Sequence, residues 1–297
     1  MVKFVIVRTL LTFVVVNDWH LAQLDVNNVF LQEELDEEVY MVSPPSFGRK
    51  GECKQVCNLT KALYGVKQAS RHWFTKLSST IIQQGFIQSK FDYYVLTKVE
   101  KFSIIILLVY VDDILIASNN VTIVDDFKKF LDNKFKLKDL GILKYFLGLE
   151  VARNTKGISL CQRKYTIKVL SDAGFLASKP VYTPMKQFAK FSSSNSSDLS
   201  MNRRLVGKFL YLTLIKPDIG YVVHKLNQYL SSPKLPRLQA AYKVLKYLKN
   251  NPRQGLFFFS QSTLHLKSYC DVDWVGCPKT RRSIFGFCVF LGDSLIS

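Results

Sequence analysis

Residues 104–117, with the sequence IIILLVYVDDILIA, are an apolar run broken by one acidic pair, and this run decides the fold. Two apolar segments on either side of an acidic pair predict two strands joined by a tight turn that carries the carboxylates. Asp112 and Asp113 are costly to place together in a partly buried position, because each charge is desolvated and repels the other. A divalent cation relieves both costs, since hard oxygen ligands of this kind hold Mg²⁺ beside substrate phosphates.

Asp25 is the candidate for a third carboxylate. It lies in Leu24-Asp25-Val26, at the end of a short apolar stretch that predicts another strand. If this strand pairs with the predicted hairpin, three carboxylates meet at one edge of a sheet. Two Mg²⁺ ions held about 3.5–4 Å apart at that edge would activate an attacking 3′-hydroxyl and stabilise a leaving pyrophosphate.

Two other interpretations of the acidic pair compete with a metal site. Acidic residues are common in hairpin turns, where they are usually only solvated. A response-regulator receiver domain also has an acidic pair at a strand end, but a loop and a helix follow it there. Residues 114–117 predict a second strand instead, and the pair lies more than 100 residues into the chain.

Charge is unevenly distributed along the 297 residues, whose formal net charge is +18. Residues 1–150 carry 18 basic and 17 acidic side chains, whereas residues 151–297 carry 23 and 6. The second half therefore predicts a phosphate-binding surface, and a generally basic soluble protein is the alternative. With 48% hydrophobic residues, the chain can bury a core and is not a disordered tail.

The sequence predicts no membrane segment, zinc site or disulfide framework. Arg8 splits the apolar N-terminal stretch, which favours a buried helix over a signal peptide. Residues 104–109 are too short to cross a bilayer. The six cysteines and four histidines lack the spacing of a zinc finger, and a chain without disulfides fits a reducing compartment.

Six blocks of sequence occur in an order that resembles one family. Tyr110-Val111-Asp112-Asp113, with the apolar residues after it, is similar to the catalytic hairpin of retroelement reverse transcriptases. The other blocks resemble the copia-type branch of LTR retrotransposons, and the last of them is similar to the opening strand of an RNase H domain. They are residues 23–31 (QLDVNNVFL), 63–71 (LYGVKQASR), 146–151 (FLGLEV), 216–219 (KPDI) with 247–249 (YLK), and 269–276 (YCDVDWVG).

The resemblance implies a role for each matching position. Asp25 and Asp112 would be the main metal ligands and Asp113 a supporting acid, with Mg²⁺ as the cofactor and Mn²⁺ as a second candidate. Phe30 would be the steric gate that rejects a ribose 2′-hydroxyl by a clash. Gln68 and Tyr110 would contact the nucleotide. Lys67 and Arg71 would contact phosphate groups, and the alternative is that they are only surface charges. Asp271 would be the first RNase H carboxylate.

The fold implied by the resemblance belongs to the α+β class. It is a right-hand polymerase palm, an antiparallel sheet backed by helices, with truncated fingers, a helical thumb and connection, and an incomplete RNase H-like strand set. Residues 1–150 would form the palm with partial fingers, because only 24 residues precede Asp25. The expected segments after it are a thumb-side segment (151–187), a Ser-rich linker (188–202), a helical connection (203–260) and a truncated RNase H-like start (261–297).

The function implied by the resemblance is that of an RNA-directed DNA polymerase fragment from a retrotransposon polyprotein. Its partners would be an RNA template, a DNA primer and dNTPs, with no membrane and an undetermined oligomeric state. RNase H activity is not expected of Asp271 alone. The expected location is intracellular, in a cytoplasmic particle or the nucleus. The alternative is a catalytically inactive, basic nucleic-acid-binding remnant of the same polyprotein.

Overall fold

A computed structural model describes residues 3–32, 34–43, 56–66, 68–185, 203–230, 235–276 and 281–297. The predicted Ser-rich linker and Lys67 lie outside these residues. The chain divides into two compact units: residues 1–10 with 17–143 form the first, and residues 11–16 with 144–297 form the second.

Within the described ranges, seven α-helices, two short 3₁₀ helices and fifteen strands occur. The α-helices are Phe4–Val16 (α1), Ala69–Ile82 (α2), Val121–Phe135 (α3), Arg163–Asp172 (α4), Arg203–Leu212 (α5), Gly220–Gln228 (α6) and Leu235–Asn250 (α7), and the 3₁₀ helices are Val29–Gln32 and Pro217–Ile219. The strands of the first unit are His20–Val26 (β1), Glu34–Val42 (β2), Val56–Lys61 (β3), Ile87–Gln88 (β4), Val95–Glu100 (β5), Ser103–Tyr110 (β6), Asp113–Ser118 (β7) and Leu137–Ile142 (β8). Those of the second unit are Tyr145–Phe146 (β9), Leu149–Asn154 (β10), Gly157–Cys161 (β11), Gly255–Phe259 (β12), Leu266–Asp273 (β13), Ile284–Leu291 (β14) and Ser294–Leu295 (β15).

The first unit is built on a six-stranded antiparallel sheet in the order β4-β5-β6-β7-β1-β8. Alternate residues of its strands belong to one apolar core, as period-two side-chain alternation requires. The β2–β3 hairpin forms a separate two-stranded sheet. The core residues that the central strands and the two helices share are Leu24, Val26, Leu107, Val109, Ile114 and Ile116 with Trp73, Leu77, Ile81, Val124, Phe127, Leu131 and Phe135.

Helices α2 and α3 supply the helical side of this core because their apolar residues recur at spacings of three and four. α3 begins after Asn120, whose side chain accepts a hydrogen bond from the Thr122 amide at 3.0 Å. This N-cap satisfies one of the amides that a helix start leaves without an intrahelical partner. α3 ends before Lys136, which takes a left-handed backbone conformation (φ +52°).

The second unit contains two sheets and a cluster of helices. Strands β12-β11-β10-β9 form one antiparallel sheet, and β13-β14-β15 form the other. Helices α4 to α7 enclose an apolar core to which α5, α6 and α7 contribute most residues. The fully buried members of that core include Val206, Phe209, Leu212, Val223, Leu226, Ala241, Val244 and Leu245.

The observed architecture is a mixed α/β fold with antiparallel sheets, as the sequence predicted at that level. The assignment of palm, thumb and RNase H-like parts stays a prediction, and so do the domain boundaries. Among the described residues, no helix has both the length and the apolar character that crossing a bilayer requires.

Candidate active site

The candidate carboxylates lie where β1 runs antiparallel to β7. Asp25 is the direct register partner of Asp113, and the amide of Val26 donates to the carbonyl of Asp112 at 2.9 Å. Residues directly opposite each other in an antiparallel pair have side chains on the same face of the sheet. The pairing therefore brings Asp25 to the turn that carries the acidic pair.

Asp113 is half-buried and is held by Gln23, whose Nε2 donates to its Oδ1 at 2.9 Å. Burial raises the pKa of Asp113, the hydrogen bond from Gln23 lowers it, and the charges of Asp112 and Asp25 raise it again, with a net increase. The pKa of Asp25 is raised by burial and by Asp112, against an opposing effect of Lys138. The strand pair thus concentrates negative charge at one place.

These carboxylates are chemically suited to Mg²⁺, because they are hard oxygen donors whose mutual repulsion a cation would relieve. Asp112 raises the pKa of both Asp25 and Asp113, so the three charges interact. Within the part of the chain that the structure describes, however, His, Cys, Asp and Glu side chains form no group of three or more that could hold a metal ion. The three carboxylates therefore lie at one strand pair and its turn, but their side chains are not arranged as a metal-binding group.

The turn between β6 and β7 has an unfavourable backbone conformation that a buried tryptophan supports. Val111 has φ +55°, a left-handed value that is costly for a β-branched residue. Its carbonyl accepts a hydrogen bond from the indole Nε1 of Trp73 at 2.7 Å, and Trp73 is fully buried in α2. Nothing in the local sequence pattern distinguishes Trp73 from an ordinary core residue, so its contact with the turn is not predictable from sequence.

Tyr64 is a second site residue whose role the sequence does not predict. Its hydroxyl donates to Oδ2 of Asp112 at 3.4 Å. Its ring meets that of Phe30 edge-on, with the centroids 4.6 Å apart and the planes at 79°. The one sequence signal for Tyr64 is its position in the block at residues 63–71, which was recognised as a whole.

The other predicted site residues lie on several different elements. Phe30 is buried in the 3₁₀ helix Val29–Gln32, and Tyr110 ends β6 opposite Asp113 in the hairpin. Gln68 is half-buried immediately before α2, and Arg71 is exposed in the first turn of that helix. Asp271 is exposed on β13 of the second unit.

A cavity of about 530 Å³ lies beside Tyr64 and Gln68. The β2–β3 hairpin forms its other side, and the lining there includes both a carboxylate and apolar side chains. A cleft of this size with a few polar groups is typical of a small-molecule site. The lining residues include Glu37, Tyr40, Met41, Leu59, Leu63 and Val66.

Comparison with known proteins identifies relatives along the whole chain. The family described as "Reverse transcriptase (RNA-dependent DNA polymerase)" matches residues 1–187. The chain is 39% identical over 299 residues to the retrovirus-related Pol polyprotein from transposon RE1 of Arabidopsis thaliana, with 100% of this chain and 20% of the relative covered. It is 32% identical to the corresponding polyprotein of transposon TNT 1-94 from Nicotiana tabacum, with 100% and 23% covered.

A shorter relative, the putative transposon Ty5-1 protein of Saccharomyces cerevisiae, is 29% identical over 279 residues, with 92% of this chain and 91% of the relative covered. The present chain spans about a fifth of the length of the plant polyprotein from transposon RE1.

Proposed function

The chain belongs to the reverse transcriptase (RNA-dependent DNA polymerase) family, with copia-type retrotransposon polyproteins as relatives, and from this premise we propose that it extends a DNA primer with dNTPs on an RNA template. The observation that carries the proposal is the register of β1 and β7, in which Asp25 is paired with Asp113 beside Asp112. Strand-borne carboxylates at one turn are the ligand type that nucleotidyl transfer with Mg²⁺ requires.

In this proposal, Asp25 and Asp112 are the main metal ligands and Asp113 is the supporting acid. When bound, Mg²⁺ would neutralise phosphate charge and lower the pKa of the primer 3′-hydroxyl. Gln23 orients Asp113 through its hydrogen bond, and Trp73 holds the turn through the Val111 carbonyl. Such preorganisation lowers the barrier because the charges need not be rearranged during the reaction.

Substrate contacts in the proposal come from the residues around the turn. Phe30 would exclude a ribose 2′-hydroxyl by a clash, and its edge-to-face contact with Tyr64, whose hydroxyl reaches Asp112, supports this role. Gln68 would lie by the nucleotide and the template base, next to the cavity that it lines. The template and primer would also use the basic residues of the second half of the chain.

Primer extension tests this function. The folded chain is given a DNA primer on an RNA template with dNTPs and Mg²⁺, and Asp112→Asn is compared with Asp126→Asn, which changes an exposed acid on α3. We expect Asp112→Asn to lower incorporation at least about 100-fold, as removal of one essential electrostatic group does, and Asp126→Asn to leave it unchanged. Absence of incorporation by the folded wild-type chain would overturn the proposal, and so would equal incorporation by Asp112→Asn.

A non-catalytic nucleic-acid-binding role is the second candidate. It is favoured by one observation, the 23 basic against 6 acidic side chains in residues 151–297. This role predicts salt-sensitive binding of RNA or DNA that Asp112→Asn does not change, together with no incorporation by the wild type. The same set of variants therefore separates the two functions.

A further inference from the structure

Tyr64 is presented by a tight turn that the sequence fixes. The amide of Val66 donates to the carbonyl of Leu63 at 3.1 Å, which closes a turn with Tyr64 and Gly65 at its centre. Gly65 has φ +102°, a conformation that side chains other than glycine rarely adopt. Turns of this hydrogen-bonding pattern with positive φ at the third residue favour glycine there, so the second residue, Tyr64, has a defined position.

From this turn, the ring of Tyr64 contacts Phe30. The two rings are perpendicular, at a centroid distance of 4.6 Å, which is a favourable edge-to-face arrangement. Phe30 is only 6% exposed, while Tyr64 is 68% exposed. Tyr64 therefore contributes to covering Phe30, and a smaller side chain at position 64 would leave Phe30 freer to change rotamer.

The same side chain also contacts a carboxylate of the proposed metal site. The Tyr64 hydroxyl donates to Oδ2 of Asp112 at 3.4 Å, a long hydrogen bond that is partly exposed to solvent. One residue thus links the candidate sugar gate to the candidate catalytic acid, two groups that lie on different elements. Tyr64 also lines the same cavity as Gln68.

We propose that Tyr64 is a positioning residue that determines sugar specificity: its ring holds Phe30 against the incoming ribose while its hydroxyl restrains Asp112. This inference rests on the proposed polymerase function. Discrimination by a clash depends on the gate being immobile, because a gate that can turn aside admits the 2′-hydroxyl. The two effects can be separated, since the ring contacts Phe30 and the hydroxyl contacts Asp112.

Two substitutions separate these contributions in primer extension with dATP and ATP as competing substrates. Tyr64→Phe keeps the ring, so we expect the ratio of kcat/KM for dATP over ATP to change less than about twofold, while kcat for both falls several-fold. Tyr64→Ala removes the cover of Phe30, and we expect the ratio to fall about 10-fold, which is the size of one aromatic contact. Tyr93→Ala, at an exposed tyrosine of the same unit, is the matched control and should leave the ratio unchanged.

A double substitution tests whether Tyr64 acts through Phe30. Phe30→Val should itself lower the ratio, and adding Tyr64→Ala to it should lower the ratio little further, because coupled residues are not additive. Tyr64→Ser, which also removes the ring, serves in place of Tyr64→Ala if thermal unfolding shows that the alanine variant is not folded, and the same fall in the ratio is expected of it. A ratio in Tyr64→Ala equal to that of the wild type overturns the inference while leaving the polymerase function intact.

A wild-type chain that extends no primer overturns the proposed function instead. In that case the wild type and Tyr64→Ala are titrated with dATP and ATP in the presence of primer–template and Ca²⁺, and the ratio of the two dissociation constants replaces the kinetic ratio. A wild-type preference for dATP that Tyr64→Ala reduces supports the inference. Equal ratios in the two chains, or no binding of either nucleotide, overturn it.

Discussion

At the scale of the residue, the indole of Trp73 donates a hydrogen bond to Val111 in the turn that carries the acidic pair. Trp73→Phe keeps most of the buried ring but removes the donor that the Val111 carbonyl accepts at 2.7 Å. We expect the free energy of unfolding to fall by about 1–3 kcal/mol, because the turn loses a hydrogen bond and the core loses part of the buried indole ring. Primer extension should fall by a larger factor than nucleic-acid binding, because the turn carries Asp112 and Asp113.

Urea unfolding, primer extension and binding of primer–template check this prediction. Trp274→Phe is the control, since Trp274 is 79% exposed and lies in the second unit. The control should change none of the three quantities appreciably. If Trp73→Phe unfolds at the same urea concentration and extends primers like the wild type, the Val111 turn does not need this hydrogen bond.

The candidate carboxylates could be identified from sequence, whereas the residues that support them could not. Asp112 and Asp113 interrupt an apolar run, and Asp25 ends another, so each is conspicuous in its local pattern. Trp73 and Tyr64 act on residues 38 and 48 positions away, and no periodicity encodes such contacts. The strained φ of Val111 is likewise invisible, because a valine between strand residues predicts extended backbone.

At the scale of the element, the side chain of Lys216 is hydrogen-bonded to the segment that follows α7. Lys216 is only 1% exposed, and its Nζ donates to the carbonyls of Asn251 at 3.2 Å and Gln254 at 2.7 Å, which follow the helix. Burial lowers the pKa of Lys216, although Asp218 and Cys161 oppose this effect. A lysine at this position satisfies carbonyls beyond a helix C-terminus and complements the helix dipole.

Lys216→Met should therefore destabilise the second unit by about 1–3 kcal/mol at neutral pH, because the two carbonyls lose their donor. Because the pKa of Lys216 is lower in the folded chain than in the unfolded chain, the unfolded chain binds the lysine proton more tightly. The contribution of Lys216 to stability therefore grows as pH rises from its folded pKa towards the ordinary lysine value of about 10.4. The difference between wild type and Lys216→Met should widen over that range.

Urea unfolding at several pH values between about 7 and 10 measures this difference, below the ordinary lysine pKa. Lys179→Met, at an exposed lysine of the same unit, is the control and should change the free energy of unfolding only slightly. If the difference in the free energy of unfolding between wild type and Lys216→Met becomes smaller as pH rises, the pKa of Lys216 is not lowered in the folded chain.

Elements in which apolar residues recur at a regular spacing are predictable from sequence, whereas elements without such a pattern are not. Residues 121–135 form α3 and have a pattern typical of a helix, because their buried apolar residues recur every three or four positions and Asn120 caps the start. The pattern of β8 does not predict a strand, because its mostly exposed sequence LKDLGI has no apolar alternation and Ile142 is its only β-branched residue. The strand β14 lies within residues 261–297, where a strand set is expected, and it pairs with β13 along eight residues.

At the scale of the whole molecule, family and charge asymmetry were readable from the sequence, but the pairing of distant strands was not. The order of the sequence blocks identified the reverse transcriptase family, which matches residues 1–187. The strand β12 pairs with β11 although nearly 100 residues separate them in the chain, and such long-range pairing has no local signature. The names of the expected domains therefore remain predictions.

The charge asymmetry leads to a prediction about nucleic-acid binding that is independent of catalysis. The second half has 23 basic and 6 acidic side chains, so phosphate contacts should come mainly from there. Each phosphate that a protein neutralises adds about 0.7–0.9 to the slope of log K against log salt concentration. Removing basic residues that contact phosphate should lower this slope, whereas removing distant ones should not.

Two paired substitutions test where those contacts lie. Lys164→Gln with Lys168→Gln removes two exposed charges one helical turn apart on α4, and Lys90→Gln with Lys101→Gln removes two exposed charges from the first unit. We expect the α4 pair to lower the salt slope for an RNA–DNA hybrid by about 1–2, and the first-unit pair to leave it nearly unchanged. Fluorescence anisotropy over a range of salt concentrations measures both slopes. If the first-unit pair lowers the slope as much as the α4 pair, binding follows net charge alone, and the second half holds no dedicated phosphate-binding surface.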